Sequence, residues 1–360
     1  MMPLVQLGAF REARWSVQRV AEVFSITDYT GDGVDGRALS LNLDLSVGGM
    51  VMIARNGTGL GVVVSDTVRG PNRTVYTNSA SSEDTSATMV QGFTTAGATL
   101  GSADEVNLSA GAYKAFGFKK RARFLDIVTY TGDGTASRRI PHSLGATPGM
   151  VWIKRRDNGI GTTDWTVGHR SLTGDSKYFS FGSGAPLTRT DVLLGMDETG
   201  FEVGEVSAIN GGGGTFVAYV FAHDTAGDGV IQCGAYTGNG SPTGPVINLG
   251  WQPQLVLLKA AGSSGGSWLL LPNPSVGSTD DEIDIGESSL LRNFMDWIAP
   301  TANGFQVRAN HPYVNSTAEP YVYMAIRKAY GGLPNIVTPT AGGGALDYSD
   351  PQNSLYPHLF

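Results

Sequence analysis

Tyr130-Thr131-Gly132-Asp133-Gly134 recurs twice more in this chain, as Tyr29-Thr30-Gly31-Asp32-Gly33 and as Tyr236-Thr237-Gly238-Asn239-Gly240. The starts lie 101 and 106 residues apart. A motif returning at nearly constant spacing marks an internal repeat. Asp-Gly and Asn-Gly supply the two positive-φ positions of a type I′ turn, so each copy is read as a tight hairpin joining two strands.

The match runs on past the turn. Arg138-Arg139-Ile140-Pro141-His142-Ser143-Leu144-Gly145 leads into Pro148-Gly149-Met150-Val151-Trp152-Ile153-Lys154-Arg155. Pro245-Val246-Ile247-Asn248-Leu249-Gly250 leads likewise into Pro253-Gln254-Leu255-Val256-Leu257-Leu258-Lys259, and Ala38 to Leu43 into Gly49-Met50-Val51-Met52-Ile53-Ala54-Arg55. Gly200-Phe201-Glu202-Val203 pairs with Gly304-Phe305-Gln306-Val307, and more loosely with Gly97-Ala98-Thr99-Leu100. Each copy closes on an alternating aromatic strand: Ala112 to Phe118, Phe216 to Phe221, Tyr321 to Ile326. The expected organisation is an N-terminal docking arm (1–23), three tandem, divergent antiparallel β-sandwich domains (24–123, 124–227, 228–329) and an extended C-terminal arm (330–360).

Composition points the same way. Glycine is 50 of 360 residues, about twice the usual ~7%. Charged residues are 16% and hydrophobic ones 41%, enough apolar material to bury cores. A Val/Ile/Thr-rich, glycine-rich chain poor in Lys and Glu has an all-β profile. The net charge of −7 supplies no basic field for nucleic acid. The single cysteine, Cys233, excludes an intrachain disulfide framework and is expected to be a buried thiol. No stretch approaches the ~18 apolar residues of a membrane span, and no secretory signal is read at the N-terminus.

The arms differ from the repeats. Phe10 to Phe24 reads as a short helix or, equally, an extended arm, with Trp15 among its apolar residues. From Tyr330 the chain is Pro/Gly-rich and ends Tyr356-Pro357-His358-Leu359-Phe360. Such a tail builds no core of its own and is expected to be ordered only by what it lies against.

Candidate chemistry is sparse. The acidic cluster Asp28, Asp32 and Asp35 resembles a calcium loop, but repeat 2 has Val128 for Asp28 and repeat 3 has Gly234 and Asn239, so the turn persists while the ligands do not. The run Asp280 to Glu287 is expected to be a solvated loop; whether it binds a cation is left open. His142, His169, His223, His311 and His358 form no zinc-protease spacing. Gly211 to Gly214 lacks the Lys-Ser/Thr of a phosphate loop, and no nucleophile elbow occurs. No cofactor is expected. Trp165 and Trp268 hold equivalent positions, valine in repeat 1, and are expected in the core. Trp152, Trp251 and Trp297 are not shared and are the candidates for copy-specific contacts, with Trp15, Tyr356 and Phe360 in the arms. The basic stretches Lys119 to Arg123 and Lys154-Arg155-Arg156 lack the interleaved aromatics of a base-stacking surface and are expected at inter-domain contacts.

The repeat resembles a domain family of bacteriophage tail and tail-fibre structural proteins. The likeness rests on the Tyr-Thr-Gly-Asp/Asn-Gly turn, Arg139-Ile140-Pro141-His142-Ser143-Leu144-Gly145, Pro148 through Arg155, Asp164-Trp165, Gly200-Phe201-Glu202-Val203 and the closing strand to Phe221. Repeat 2 carries nearly all of it. Repeat 1 lacks the Pro, the Asp-Trp pair and the Gly-Phe, and repeat 3 lacks the Arg and His. The resemblance implies a non-enzymatic virion protein assembled in the host cytoplasm. Other virion proteins would bind residues 1–23 and 330–360, and a host-surface glycan is an expected ligand. It further implies a homo-oligomer, a trimer by the habit of fibres, although no heptad stretch specifies one. Two other readings stand beside it: a head decoration or neck protein clamped by its arms, and a soluble carbohydrate-binding module.

Overall fold

The computed structural model describes residues 20–57, 61–158, 164–172, 177–182, 184–262, 265–274, 281–286, 291–292 and 295–329. The chain divides into two units, Met1–Ala329 and Tyr330–Phe360. The C-terminal arm and residues 1–19 of the N-terminal arm lie outside the described residues; Val20 to Val23 are helical.

Repeat 1 shows the plan. Its strands are β1 (Phe24–Thr30), β2 (Arg37–Ser40), β3 (Gly49–Arg55), β4 (Val63–Asp66), β5 (Val75–Tyr76), β6 (Val90–Thr94), β7 (Gly97–Leu100) and β8 (Ala112–Lys119). They form a large sheet in the order β1-β8-β3-β4-β5 and a small sheet in the order β2-β7-β6. Every pairing is antiparallel. Repeat 2 orders Leu125–Thr131, Thr215–Ala222, Pro148–Arg155 and Thr166–His169 in its large sheet, with Arg138–Pro141, Gly200–Val203 and Leu193–Asp197 in its small one. Repeat 3 orders Ile231–Thr237, Pro320–Arg327, Pro253–Ala260, Leu269–Pro272, Glu282–Asp284 and Leu291–Arg292 beside a small sheet of Val246–Asn248, Gly304–Val307 and Ile298–Thr301. The protein is all-β, with antiparallel sheets packed as sandwiches.

The long aromatic strand that closes each repeat sits inside its large sheet, between the first strand and the apolar run after the turn. That apolar run is buried along its length, as in Pro148–Arg155. Continuous apolar strands need cover on both faces. In repeat 1 one face, with Val51, Ile53 and Ala115, packs on Leu39, Leu41, Leu43, Leu45 and Leu100. The other face, with Met50, Met52, Val64, Phe116 and Phe118, belongs to a core that also contains Trp152, Trp165 and Phe221 of repeat 2 and Leu257, Trp268 and Met324 of repeat 3. The inner face of repeat 3, with Val256, Leu258 and Ala325, packs on Ile247, Phe305, Val307 and Trp297. The three large sheets therefore turn their backs to one common core, in addition to the inner cores of repeats 1 and 3.

Two expectations are corrected here. The pentapeptide is not a hairpin turn: β1 pairs with β8 and β2 with β7, so the motif carries the chain from the large sheet to the small one. Of its residues only the second glycine adopts positive φ, at 70°, 71° and 66° in the three copies, so a type I′ turn does not form. The acidic run is not a solvated loop over its described part. Glu282–Asp284 is a strand, and Glu282, Ile283, Asp284 and Ile285 are buried, the two isoleucines in the common core.

Candidate functional site

Each copy of the pentapeptide closes on a buried asparagine that the sequence did not single out. Asn107, Asn210 and Asn315 have no exposed surface. The Oδ1 atom accepts from the backbone N–H of Asp32, Asp133 and Asn239 at 3.0, 3.2 and 2.8 Å. The Nδ2 atom donates to the side-chain oxygens of the same three residues at 3.0, 3.1 and 3.1 Å. It also donates to the carbonyls of Val34, Thr135 and Ser241. The asparagine backbone carbonyl accepts from Gly33, Gly134 and Gly240. The tyrosine hydroxyl donates to the carbonyl just before the asparagine, at 2.6, 2.7 and 2.8 Å. A Cβ on Gly31, Gly132 or Gly238 would overlap a backbone carbonyl. Tyr, both Gly and Asp/Asn are thus fixed by structure. The carboxylates of Asp32 and Asp133 are held below their ordinary range, chiefly by the N–H groups of Val34 and Thr135.

The seams between repeats use matched positions. Trp165 and Trp268 stand just before strands whose first residues pair with Ile153 and Leu258. Trp165 Nε1 donates to the Tyr76 carbonyl of repeat 1, and Trp268 Nε1 to the Ser180 carbonyl of repeat 2, both at 2.8 Å. The equivalent residue of repeat 1 is Val62, by the pairing of Val63 with Ile53. Asp66 and His169 are also equivalent, opposite Met50 and Met150. Asp66 accepts from the Tyr219 hydroxyl of repeat 2 at 2.7 Å, and His169 Nε2 meets the Tyr323 carbonyl of repeat 3 at 3.0 Å. The step from repeat 1 to repeat 2 is therefore repeated from 2 to 3. Lys114 of repeat 1, almost fully buried, joins Asp281 of repeat 3 at 3.2 Å and brings the third pair of repeats together.

Buried charge is concentrated at the first seam. Arg69 pairs with Asp66 and, at 3.0 Å, with Glu83, and it donates to the Tyr219 hydroxyl. Arg73 and Arg156 also grip Glu83. Burial raises the Glu83 pKa, but Arg156, Arg69 and Arg73 outweigh it and hold the carboxyl below its usual range. Lys154 donates to the Ser79 carbonyl, and burial lowers its pKa to about 8. At the second seam burial lowers His169 to about 4.

The joints between repeats gather at one pole. Phe24 pairs with Phe118, Leu125 with Phe221 and Ile231 with Ile326, so each repeat begins and ends at the same end of its large sheet. Val23, Arg121, Ala122, Arg123, Phe124, Asp224, Asp228 and Val230 line a cavity of about 210 Å³ there. Arg123 reaches Asp224 at 2.7 Å and Asp228 at 2.8 Å, while Arg121 reaches Glu22 at 2.6 Å. Arg327 bonds to Val230 and Gly227, so the body's last strand ends beside the same joint. Both arms are covalently attached at this pole.

The residues expected to make contacts fall elsewhere. Trp152, Trp251 and Trp297 are 1%, 4% and 0% exposed and offer no face for stacking. Trp152 abuts Phe181 and Phe221, and Trp297 donates to the buried Glu282 at 2.9 Å. Trp165 and Trp268 are core residues as expected, and Cys233 is buried. Trp15, Tyr356 and Phe360 lie outside the described residues. Glu282 and Asp281 are engaged by Trp297 and Lys114, and among the described residues no group of three or more His, Cys, Asp or Glu side chains comes together that could hold a metal ion. No described helix is long and apolar enough to cross a membrane.

Sandwich repeats on a shared core, with their joints at one pole, define an all-β repeat protein whose buried polar groups serve packing. The chain belongs to the family described as Domain of unknown function (DUF7483), whose profile matches residues 19–125 and 121–329. The two matches meet at the joint between repeats 1 and 2. No curated protein matches the chain.

Proposed function

We propose that this chain is a structural, non-enzymatic component of a bacteriophage particle, assembled in the host cytoplasm and placed in the tail tip or fibre apparatus. The attachment of both arms at the junction pole carries this reading. Arms leaving one pole can hold the body to other virion proteins and leave its far end free, where the three clasps of pentapeptide and buried asparagine lie, to meet a host-surface glycan. Tandem copies suit weak, repeated contacts, because linked sites multiply avidity without tight individual sites. The burial of Trp152, Trp251 and Trp297 counts against a free carbohydrate-binding module built on those side chains.

The test is immunogold electron microscopy of intact particles with an antibody to residues 124–227. Label at the tail tip or on fibres is the expected result. Label over the head or collar would replace the fibre assignment with a decoration or neck protein clamped by its arms. Particles without label would overturn the virion reading.

A further inference from the structure

The back faces of the three large sheets do inside one chain what identical subunits do in a trimer. Two seams repeat the tryptophan–carbonyl contact in the same direction, and both use the matched position of Asp66 and His169 for a different contact with the next repeat. Trp165 reaches Tyr76 and Trp268 reaches Ser180; Tyr219 reaches Asp66 and His169 meets Tyr323. A heterologous contact that recurs in one sense makes a ring if its rotation closes and an open filament if it does not. Here the third pair of repeats meets through contacts of its own. Repeats 1 and 3 share the central core, and Lys114 joins Asp281 across them. An isolated sandwich would expose Met50, Met52, Phe116 and Phe118, or their counterparts, and would have to associate to cover them. In this chain each back face is already covered by its two sisters.

We propose that the body is a trimer built from one chain: it is a monomer in solution, and it seats its junction pole, one chain per position, on a threefold-symmetric partner within the particle. The seating rests on the virion reading; the monomer does not. Two joints meet at the pole with one pair of arms, so the pole supplies one anchor, whereas a homotrimer would supply three. The joint charges answer one another, Arg121 with Glu22 and Arg123 with Asp224 and Asp228. Among the described residues the pole thus presents no block of one sign, and a protein surface suits it better than a polyanion.

Three measurements on the full chain test this. Light scattering after size exclusion should give the single-chain mass, 37.8 kDa; three times that mass overturns the proposal. Carbodiimide treatment of a mixture of unlabelled and nitrogen-15-labelled chains should join Lys114 to Asp281 only between peptides of the same label. Mixed-label peptides would show the third seam closing between chains and overturn it equally. Copy number from cryo-electron microscopy should then be one chain per threefold position. Three chains there would sink the seating while leaving the virion reading intact. Absence from particles would sink the virion reading, and the seating with it, without touching the mass and cross-link results.

Discussion

Asn210 shows how much a single side chain can hold. Buried itself, it ties the exposed Asp133 and Thr135 through three hydrogen bonds. Asp133 and Thr135 are themselves exposed and can turn to water, so Asn210→Ala is expected to destabilise the body by about 1–2 kcal/mol, the net loss of hydrogen bonds each contributing ~0.5–1.5 kcal/mol. Urea unfolding reads this out, and a loss under about 0.5 kcal/mol would contradict the clasp. His169 makes a second prediction. Its Nδ1 accepts from the Ser171 N–H and its Nε2 meets the Tyr323 carbonyl, so the ring fits as the neutral tautomer. Burial first, then the charges of Arg170 and His223, lower its pKa to about 4, below the ~6.5 of an unfolded chain. The stability it contributes is present above pH ~6.5 and is lost as pH falls from there towards 4. Urea midpoints across that interval should drop in the wild type and drop less in His169→Gln. An identical decline in both would assign the acid sensitivity to other groups.

Among the elements, the first seam is the most charged. Arg69→Met removes the cation between Asp66 and Glu83 while keeping most of the side chain's bulk. Breaking a buried pair on one side typically costs ~3–5 kcal/mol because the partner charge stays buried. Arg73 and Arg156 still hold Glu83, so the expected loss is at the lower end, about 3 kcal/mol, by denaturant titration. The strands themselves could be read from the sequence, because the apolar runs and closing aromatics follow strand periodicity. Trp165 and Trp268 were assignable to the core because valine replaces them at the same position in repeat 1. What misled was the turn: Asp-Gly is a hairpin signal in isolation, and its real partner, Asn107 in repeat 1, lies 75 residues further on. No local pattern encodes such a contact. The acidic run misled for a like reason, since Lys114, which engages Asp281, belongs to another repeat. One signal was readable. Met150-Val151-Trp152-Ile153 has no polar alternation, and such a strand needs cover on both faces.

At the scale of the whole molecule, the shared core sets cooperativity. Three separately cored domains would unfold independently, whereas sheets packed back to back lose their cover together. Calorimetry of the full chain should show one transition with equal calorimetric and van't Hoff enthalpies. Resolved transitions, one per repeat, would mean that the common core contributes little. The same core explains why the organisation was only partly legible. Repeat length and closing strands locate three sandwiches, but nothing local says that their outer faces meet.

Val62, standing where the other repeats carry tryptophan, has a consequence for how this protein can change. In an assembly of identical subunits every substitution is copied at every interface, so a harmful one strikes three times and a local remedy cannot be local. A gene that encodes each interface separately escapes that constraint. One seam has become an arginine–carboxylate network, another a histidine resting on a carbonyl, and the third a lysine between aspartates. Each boundary can drift alone while the other two keep the fold, and inheritance can specialise one side of such a molecule without disturbing the rest.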